Sequence, residues 1–317
     1  MTNKLSRRNF LATATAATAA IPLSMMGAQA ASGISAGGAA PTEQKSATSD
    51  RIIDMHVHFD SKNPKFLDEL LKVGDHLNLT ACLLTPFEHR KVVADAAQRH
   101  PTRIIPFGFV DVDAKDATKQ VEELHRLGYR GLGELENPKK SFNDPSYSPI
   151  YELANGYSWI ILFHTGIVMR EEFKEPEDVT SGRMLPVHLE EIARRFPKIT
   201  VLGAHGGNPE YEWAAEVSRW NPNVFFDLSG STLTKMRGRL QHFQDIFWWS
   251  GVGQDTSTPN NDPSAFIKVV FGSDTYPARI EAVVAQYRAL FEACDIPEVT
   301  RKMILGGTMA QLLGLPA

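Results

Sequence analysis

The feature of this sequence that most constrains its fold is an alternation, repeated eight times after residue 50, of short apolar runs with longer segments of helical spacing. Most of the apolar runs are almost continuously hydrophobic, which is typical of strands buried on both faces of a parallel sheet. We therefore predict eight parallel strands, at Ile52–Val57, Ala81–Thr85, Ile104–Val110, Tyr129–Leu135, Trp159–His164, Ile199–His205, Val224–Leu228 and Val269–Asp274.

The segments between these runs have the spacing of amphipathic helices. Val121, Leu124 and Leu127 recur at intervals of three residues before Gly128 ends the pattern. Eight strands and about eight helices within roughly 265 residues match the repeat and size of a TIM barrel. We predict an α/β fold, a single-domain (β/α)8 TIM barrel over residues 51–317.

A doubly wound open sheet is the competing architecture. Such a sheet usually carries a Gly-rich phosphate loop after its first strand, and here that strand ends in His-Val-His. The barrel is therefore favoured. The longest departure from the repeat, Ser229–Lys268, is interpreted as an elaborated loop and helix near the mouth of the barrel.

The first thirty residues have the pattern of an export signal. The first eight carry three basic residues and no acid, a weakly apolar stretch follows, and Ala28-Gln29-Ala30 matches a small-x-small cleavage site. Ser6-Arg7-Arg8-Asn9-Phe10-Leu11 resembles a twin-arginine signal. We predict a signal peptide at 1–30, a flexible linker at 31–50, and a periplasmic or secreted protein that meets the twin-arginine export machinery.

Charge and cysteine content exclude several classes of partner and site. The net charge of −4 becomes −7 when the signal peptide removes three positive and no negative charges, so neither nucleic acid nor an anionic membrane is expected as a partner. No apolar run is long enough to span a bilayer. Cys82 and Cys294 are too few for a disulfide framework or a Cys-rich zinc site, and we expect buried free thiols.

Side chains that can bind metal end five of the predicted strands. His56 and His58 end the first, and because residues i and i+2 of a strand point to the same side, both imidazoles should enter the barrel mouth. The other four are Glu134 on the fourth strand, His164 on the fifth, His205 on the sixth and Asp274 on the eighth. In a TIM barrel, this carboxyl end of the strands carries the chemistry.

Taken singly, each of these residues has a structural interpretation. A lone buried His is usually a hydrogen-bonded core residue, and a carboxylate at a strand end often caps the next helix. Four His and two carboxylates at the ends of five strands together favour a metal site. Imidazole nitrogens and carboxylate oxygens suit a divalent ion, with zinc favoured and manganese as the alternative.

Four motifs carry a resemblance to a known family, and they are Asp54-x-His56-x-His58, Phe163-His164-Thr165-Gly166, Gly203-Ala204-His205-Gly206-Gly207 and Phe271-Gly272-Ser273-Asp274. With Arg195-Phe196-Pro197 before the sixth strand, they resemble the amidohydrolase superfamily. They are most similar to its amidohydrolase-related branch, which includes aminocarboxymuconate-semialdehyde decarboxylase.

The resemblance implies a role for each matching residue. It implies that His56, His58, His164 and Asp274 bind the metal. It also implies that His205 stands beside the ion as an acid/base or carbonyl-polarising group, and that Asp54 supports the ligands without being one.

Glu134 leaves the number of ions open. In binuclear relatives a carboxylate at the end of the fourth strand bridges two ions, whereas mononuclear decarboxylase-like members need no ligand there. With two ions, His56, His58 and Asp274 would surround one, His164 and His205 the other, and Glu134 would lie between them. Glu136, on the same face of that strand, is the alternative bridging residue.

Three functions compete on this site. The first is hydrolysis of an amide, ester or lactone of a small molecule by a metal-activated water, with Asp274 as proton acceptor and His205 polarising the carbonyl. The second is decarboxylation or hydration of a small carboxylic acid, for which Arg170, Arg183 or Arg279 could bind the substrate carboxylate. The third is a non-enzymatic metal-binding protein. Substrate identity and the formation of a homo-oligomer are left open.

Overall fold

A computed structural model describes residues 50–168, 180–247 and 268–316 of the chain. The predicted signal peptide lies outside the described residues, as does the predicted linker apart from Asp50. Arg170 and the middle of the predicted loop, 248–267, also lie outside them.

Eight parallel strands form one sheet in sequential order. They are β1 (Ile52–His58), β2 (Leu79–Thr85), β3 (Ile104–Gly108), β4 (Gly131–Leu135), β5 (Ile160–Phe163), β6 (Thr200–Gly203), β7 (Val224–Asp227) and β8 (Val269–Val270). The sheet closes on itself between β1 and the residues after β8, where Met55 N–H donates to the Phe271 carbonyl at 2.9 Å. The predicted single-domain α/β barrel is confirmed for the described residues, and the signal peptide and linker stay predictions.

Helices follow the strands around the outside of the sheet. They are α1 (Phe66–Leu77), α2 (Arg90–Arg99), α3 (Ala117–Arg126), α4 (Ser148–Gly156), α5 (Pro186–Arg195), α6 (Tyr211–Trp220), α7 (Ser231–Arg237), α8 (Leu240–Phe247), α9 (Pro277–Ala293), α10 (Glu298–Lys302) and α11 (Thr308–Leu312). Val121 and Leu124 of α3 are fully buried, as their spacing predicts. The predicted loop after the seventh strand contains two helices, α7 and α8, in its described part.

The interior of the barrel is filled by apolar side chains at the end opposite the mouth. Ile53 and Met55 of β1 lie in one buried cluster with Phe107 of β3 and Leu202 of β6, and Met309 of α11 completes it. Arg130 Nη2 donates to the Leu313 carbonyl at 2.8 Å and ties the chain end to this face. The side chains that can bind metal therefore lie at the other end, where the strands finish.

Five of the predicted strands extend too far at their carboxyl ends, and three of these ends carry ligand candidates. The fifth, sixth and eighth strands were expected to run to His164, His205 and Asp274, but the paired strands stop one to four residues earlier. His205 (φ 60°) and Asp274 (φ 47°) have left-handed backbone conformations, which cannot continue a strand. These side chains therefore project from the first residues of the following loops.

Both cysteines are buried and free, as predicted. Burial raises the pKa of the Cys294 thiol to about 11, so little thiolate is present at neutral pH. Among the helices that the structure describes, none is both long and apolar enough to cross a bilayer.

Candidate metal centre

The barrel brings together all six metal-binding side chains predicted from the sequence. Their potential ligand atoms form two groups, and within each group these atoms lie within 4.8 Å of one another. The first group is His56, His58 and Asp274, and the second is Glu134, His164 and His205. Residues that are far apart in sequence meet here because the strands of a barrel all end at one rim.

The first group has spacings that fit a divalent cation. His56 Nε2 and His58 Nε2 are 3.1 Å apart, and Asp274 Oδ1 lies 3.5 and 3.6 Å from them. Glu134 Oε2 is 3.1 Å from the first nitrogen and 3.3 Å from the second. Zinc bonds of about 2.0–2.1 Å in a tetrahedral site place neighbouring ligand atoms about 3.3 Å apart.

Glu134 lies between the two groups. While Oε2 faces His56 and His58, Oε1 is 2.9 Å from His164 Nδ1 and 3.5 Å from His205 Nε2. The other ring nitrogen of His164, Nε2, is buried and has no hydrogen-bond partner among the described residues. Each oxygen of this carboxylate thus contacts a different pair of imidazoles.

The electrostatics of the centre favour a positive charge inside it. Burial opposes ionisation of Glu134, but the His56 charge and the hydrogen bonds from three imidazoles hold its pKa well below the usual range. Burial also opposes protonation of His56, yet the charges of Glu134 and Asp227 raise its pKa well above 6.5. Carboxylates that hold a proton on a buried imidazole will equally attract a divalent cation.

Asp54 lies beside the ligand candidates without joining either group. Its Oδ1 accepts from the backbone N–H of His56 at 3.1 Å and from that of Ser273 at 2.9 Å. It therefore fixes the loop that carries Asp274 against β1. Oδ2 is buried with no partner in the described chain, and burial raises the pKa of the carboxyl to about 7.

Asp227, at the end of β7, was missed by the sequence analysis. Its Oδ2 lies 2.8 Å from His56 Nδ1, and its Oδ1 accepts from the backbone N–H of His205 at 3.0 Å. Burial would raise the pKa of this carboxyl, but the charge and hydrogen bond of His56 lower it. The signal was present in the sequence, because Asp227 ends an apolar run just as the six recognised residues do.

The backbone at two of the site residues is strained. His205 and Asp274 both adopt left-handed conformations, which cost a non-glycine residue on the order of 1 kcal/mol or more. The turn is over-determined at His205, since its N–H donates to Asp227 and its carbonyl accepts from Thr232 Oγ1 at 2.5 Å. Such strain is common where a side chain must be aimed at a ligand.

Of the arginines predicted to bind a substrate carboxylate, two lie in the part of the chain that the structure describes. Arg183 Nη1 donates to the Pro138 carbonyl at 3.4 Å, and Arg279 is exposed on α9. Arg170 lies outside the described residues. Glu136 belongs to neither ligand group, and desolvation together with the Glu134 charge raises its pKa.

The position of Asp54 leads to a stability prediction for the chelator-treated, metal-free protein. The carboxyl has a pKa of about 7 when folded and of about 3.9 when unfolded. Between these two pH values the folded state binds more protons than the unfolded state. Protonation of Asp54 therefore contributes fully to the free energy of unfolding below about pH 4. This contribution, at most ~4 kcal/mol, is lost as the pH rises toward 7.

Asp54→Asn cannot ionise, so its free energy of unfolding should gain on that of the wild type as the pH rises over that range. Urea denaturation of both proteins at several pH values measures the difference. A difference that is the same at every pH would show that Asp54 is ionised throughout.

The sequence matches the model of a known protein family. The family model described as Amidohydrolase (Amidohydro_2) matches residues 53–315. Among curated proteins, none matches the sequence significantly.

Solved structures share the fold at low sequence identity. 5-Carboxyvanillate decarboxylase LigW from Sphingomonas paucimobilis is 15% identical, with a TM-score of 0.56 over 84% of this chain and 100% of that one. 2,6-Dihydroxybenzoate decarboxylase from Rhizobium is 15% identical, with a TM-score of 0.55 over 84% and 99%. A candidate 2-pyrone-4,6-dicarboxylic acid hydrolase from Pseudomonas putida is 16% identical, with a TM-score of 0.55 over 84% and 98%.

The family match spans nearly the whole described barrel and includes all six ligand candidates. The resemblance stated from the four sequence motifs is thereby confirmed. The chain belongs to the Amidohydro_2 family of amidohydrolases.

Proposed function

We propose that this protein is a metal-dependent hydrolase that cleaves an amide, ester or lactone bond of a small molecule. The observation that carries the proposal is the position of Glu134, whose two oxygens each face one group of ligand atoms. A carboxylate shared in this way suits two divalent metal ions. Sites with two metal ions recur in enzymes that attack their substrates with water.

The ligands divide between two ions. His56, His58 and Asp274 would hold the first, His164 and His205 the second, and Glu134 would bridge them. Zinc is the favoured ion and manganese the alternative, because the donors are imidazole nitrogens and carboxylate oxygens. When bound, the metal supplies a water acidified from a pKa of about 15.7 to about 7 and polarises the substrate carbonyl.

Asp274 is the residue best placed to accept a proton during the reaction. Its side chain is 30% exposed, whereas Glu134 is 4% and Asp227 0% exposed. Because the strained turn aims the side chain toward the mouth, Asp274 can exchange protons with substrate or solvent there. If only the first ion is bound, His205 can carry a second ring proton, on Nε2, and polarise the carbonyl or donate that proton to the leaving group.

The second candidate is a decarboxylase, and the names of the similar structures favour it. LigW and the Rhizobium enzyme are named as decarboxylases of aromatic acids. A decarboxylase on this site also needs a cation for the substrate carboxylate, whereas the hydrolase is supported directly by the position of Glu134 between the two groups of ligand atoms. The hydrolase is therefore preferred. A non-enzymatic role is disfavoured because all six ligand candidates are present.

Glu134→Gln tests the two-ion arrangement. The amide keeps the shape of the side chain but presents only one acceptor oxygen, so it cannot bridge. We expect elemental analysis to give two equivalents of metal for the mature wild type and one or fewer for the variant. Glu281→Gln, at an exposed position on α9, is the matched control and should keep two equivalents. One equivalent in the wild type would contradict the proposed bridge.

A substrate panel tests the reaction class. Lactones, esters, N-acyl amino acids and aromatic carboxylates should be compared by acid release and by carbon dioxide release. We expect acid release alone, reduced roughly 10²- to 10⁴-fold in Asp274→Asn because a proton acceptor is lost. Carbon dioxide release from an aromatic carboxylate would favour the decarboxylase. Undiminished activity in Asp274→Asn with metal retained would contradict the proposed chemistry for either reaction.

We further propose that the protein is exported by the twin-arginine route, supported by the Ser6–Leu11 segment and the Ala28-Gln29-Ala30 site. Fractionation of expressing cells should yield a periplasmic or secreted form that begins at Ala31. The double variant Arg7→Lys/Arg8→Lys should leave the uncleaved precursor in the cytoplasm, whereas Lys4→Arg should behave as the wild type. Equal export of all three would contradict the route.

A further inference from the structure

We infer that Asp227 is a positioning residue that fixes the ring protons of both His56 and His205 on Nδ1, and thereby presents one Nε2 lone pair from each ligand group to a cation. The inference rests on the proposed metal site. It goes beyond that site because Asp227 is not itself a ligand candidate. Asp227 contacts His56 of the first group directly and His205 of the second group through Ser229.

The hydrogen bonds around Asp227 leave its side chain no role except that of acceptor. Oδ1 accepts from the backbone N–H of His205 at 3.0 Å and from that of Ser229 at 2.8 Å, and neither donor can reverse. The Ser229 hydroxyl lies 2.6 Å from the same oxygen. His56 Nδ1 is 2.8 Å from Oδ2, so the proton between them belongs to the imidazole. With Nδ1 protonated, Nε2 of His56 keeps a lone pair for metal.

The effect reaches His205 through Ser229. A hydroxyl has one proton, and the Ser229 hydroxyl donates it to the Asp227 carboxylate. Its oxygen must therefore accept from His205 Nδ1, which lies 2.9 Å away. The proton of His205 is then also on Nδ1, and its Nε2 faces Glu134 Oε1 at 3.5 Å. One carboxylate thus sets the orientation of an imidazole in each group.

The fold holds this carboxylate rigidly. Gly272, after β8, gives it space, because a Cβ there would lie 2.8–2.9 Å from Asp227 side-chain atoms. Beside it, the buried Tyr287 hydroxyl accepts from the Leu228 N–H at 2.8 Å and donates to the Gly272 carbonyl at 3.2 Å. Asp227 therefore cannot move away from the two imidazoles without disrupting the packing between β7 and β8.

Asp227→Asn reverses one hydrogen bond without changing the volume. The amide oxygen must stay at the Oδ1 position, where two backbone N–H groups point at it. The amide NH2 then faces His56 Nδ1 as a donor, which moves the ring proton to Nε2 and blocks the ligand lone pair. Ser229→Ala, in contrast, removes the acceptor of His205, whereas His56, whose Nδ1 lies 3.4 Å from the same hydroxyl, keeps its shorter 2.8 Å bond to Asp227.

The test is a zinc titration of the wild type, Asp227→Asn and Ser229→Ala, with a competing chromophoric chelator. Asp227→Asn is expected to weaken the ion held by His56 by roughly 10- to 100-fold, whereas Ser229→Ala weakens the other ion. Ser218→Ala removes a buried hydroxyl in α6 that bonds to the Ala215 carbonyl, and it should bind as the wild type. Thermal unfolding checks that each variant is folded.

A proton NMR spectrum of the zinc-loaded proteins separates positioning from general structural damage. An imidazole Nδ1–H that donates to a carboxylate resonates downfield of the amide region. The wild type should show this signal for His56, Ser229→Ala should keep it, and Asp227→Asn should lose it.

The outcomes distinguish the two proposals. No zinc binding by the wild type would overturn the metal site and this inference with it. Tight zinc binding by the wild type and equally by Asp227→Asn would overturn the inference alone. If Asp227→Asn does not fold, Ser229→Ala decides, and unchanged affinity for both ions in that variant would overturn the inference.

Discussion

The seam between β1 and the residues after β8 is the constraint on which the rest of the centre depends. Met55 N–H donates to the Phe271 carbonyl at 2.9 Å, and Asp274 N–H donates to the His56 carbonyl at 2.7 Å. These two bonds close the barrel and set Asp274 beside His56 and His58. Asp54 reinforces the seam through its bond to Ser273. Without closure, the first and last strands would lie at opposite edges of an open sheet, and the first ligand group could not form.

Closure also produces the concentration of buried charge that defines the chemistry. Glu134 and Asp227 are buried on opposite sides of His56, and each holds one of its ring nitrogens. Burying carboxylates is costly unless positive charge and hydrogen bonds compensate. Here the histidines supply both the positive charge and the hydrogen bonds, and a divalent cation would add further positive charge. The apolar cluster that includes Met309 of α11 fills the opposite end of the barrel, so this polar network lies at the mouth.

Much of this arrangement was predictable because it follows from local periodicity. The eight apolar runs predicted eight parallel strands, and the rule that polar residues at strand ends meet at one rim predicted all six ligand candidates. Asp227 satisfied the same rule and was missed, although it lies at the end of β7. The strand ends at His205 and Asp274 were placed too late, because a left-handed backbone has no signature in hydrophobic pattern.

The sequence by itself therefore determined the barrel, the family and the six side chains that can hold metal, since each depends on residue type and on periodicity along the chain. The tertiary structure decided how those side chains divide into two groups, that the oxygens of Glu134 face one group each, and that Asp227 contacts an imidazole of one group and reaches the other through Ser229. The physical reason is that a hydrogen bond depends on distances of a few tenths of an ångström between strands that are far apart in sequence, and periodicity along one strand carries no information about them.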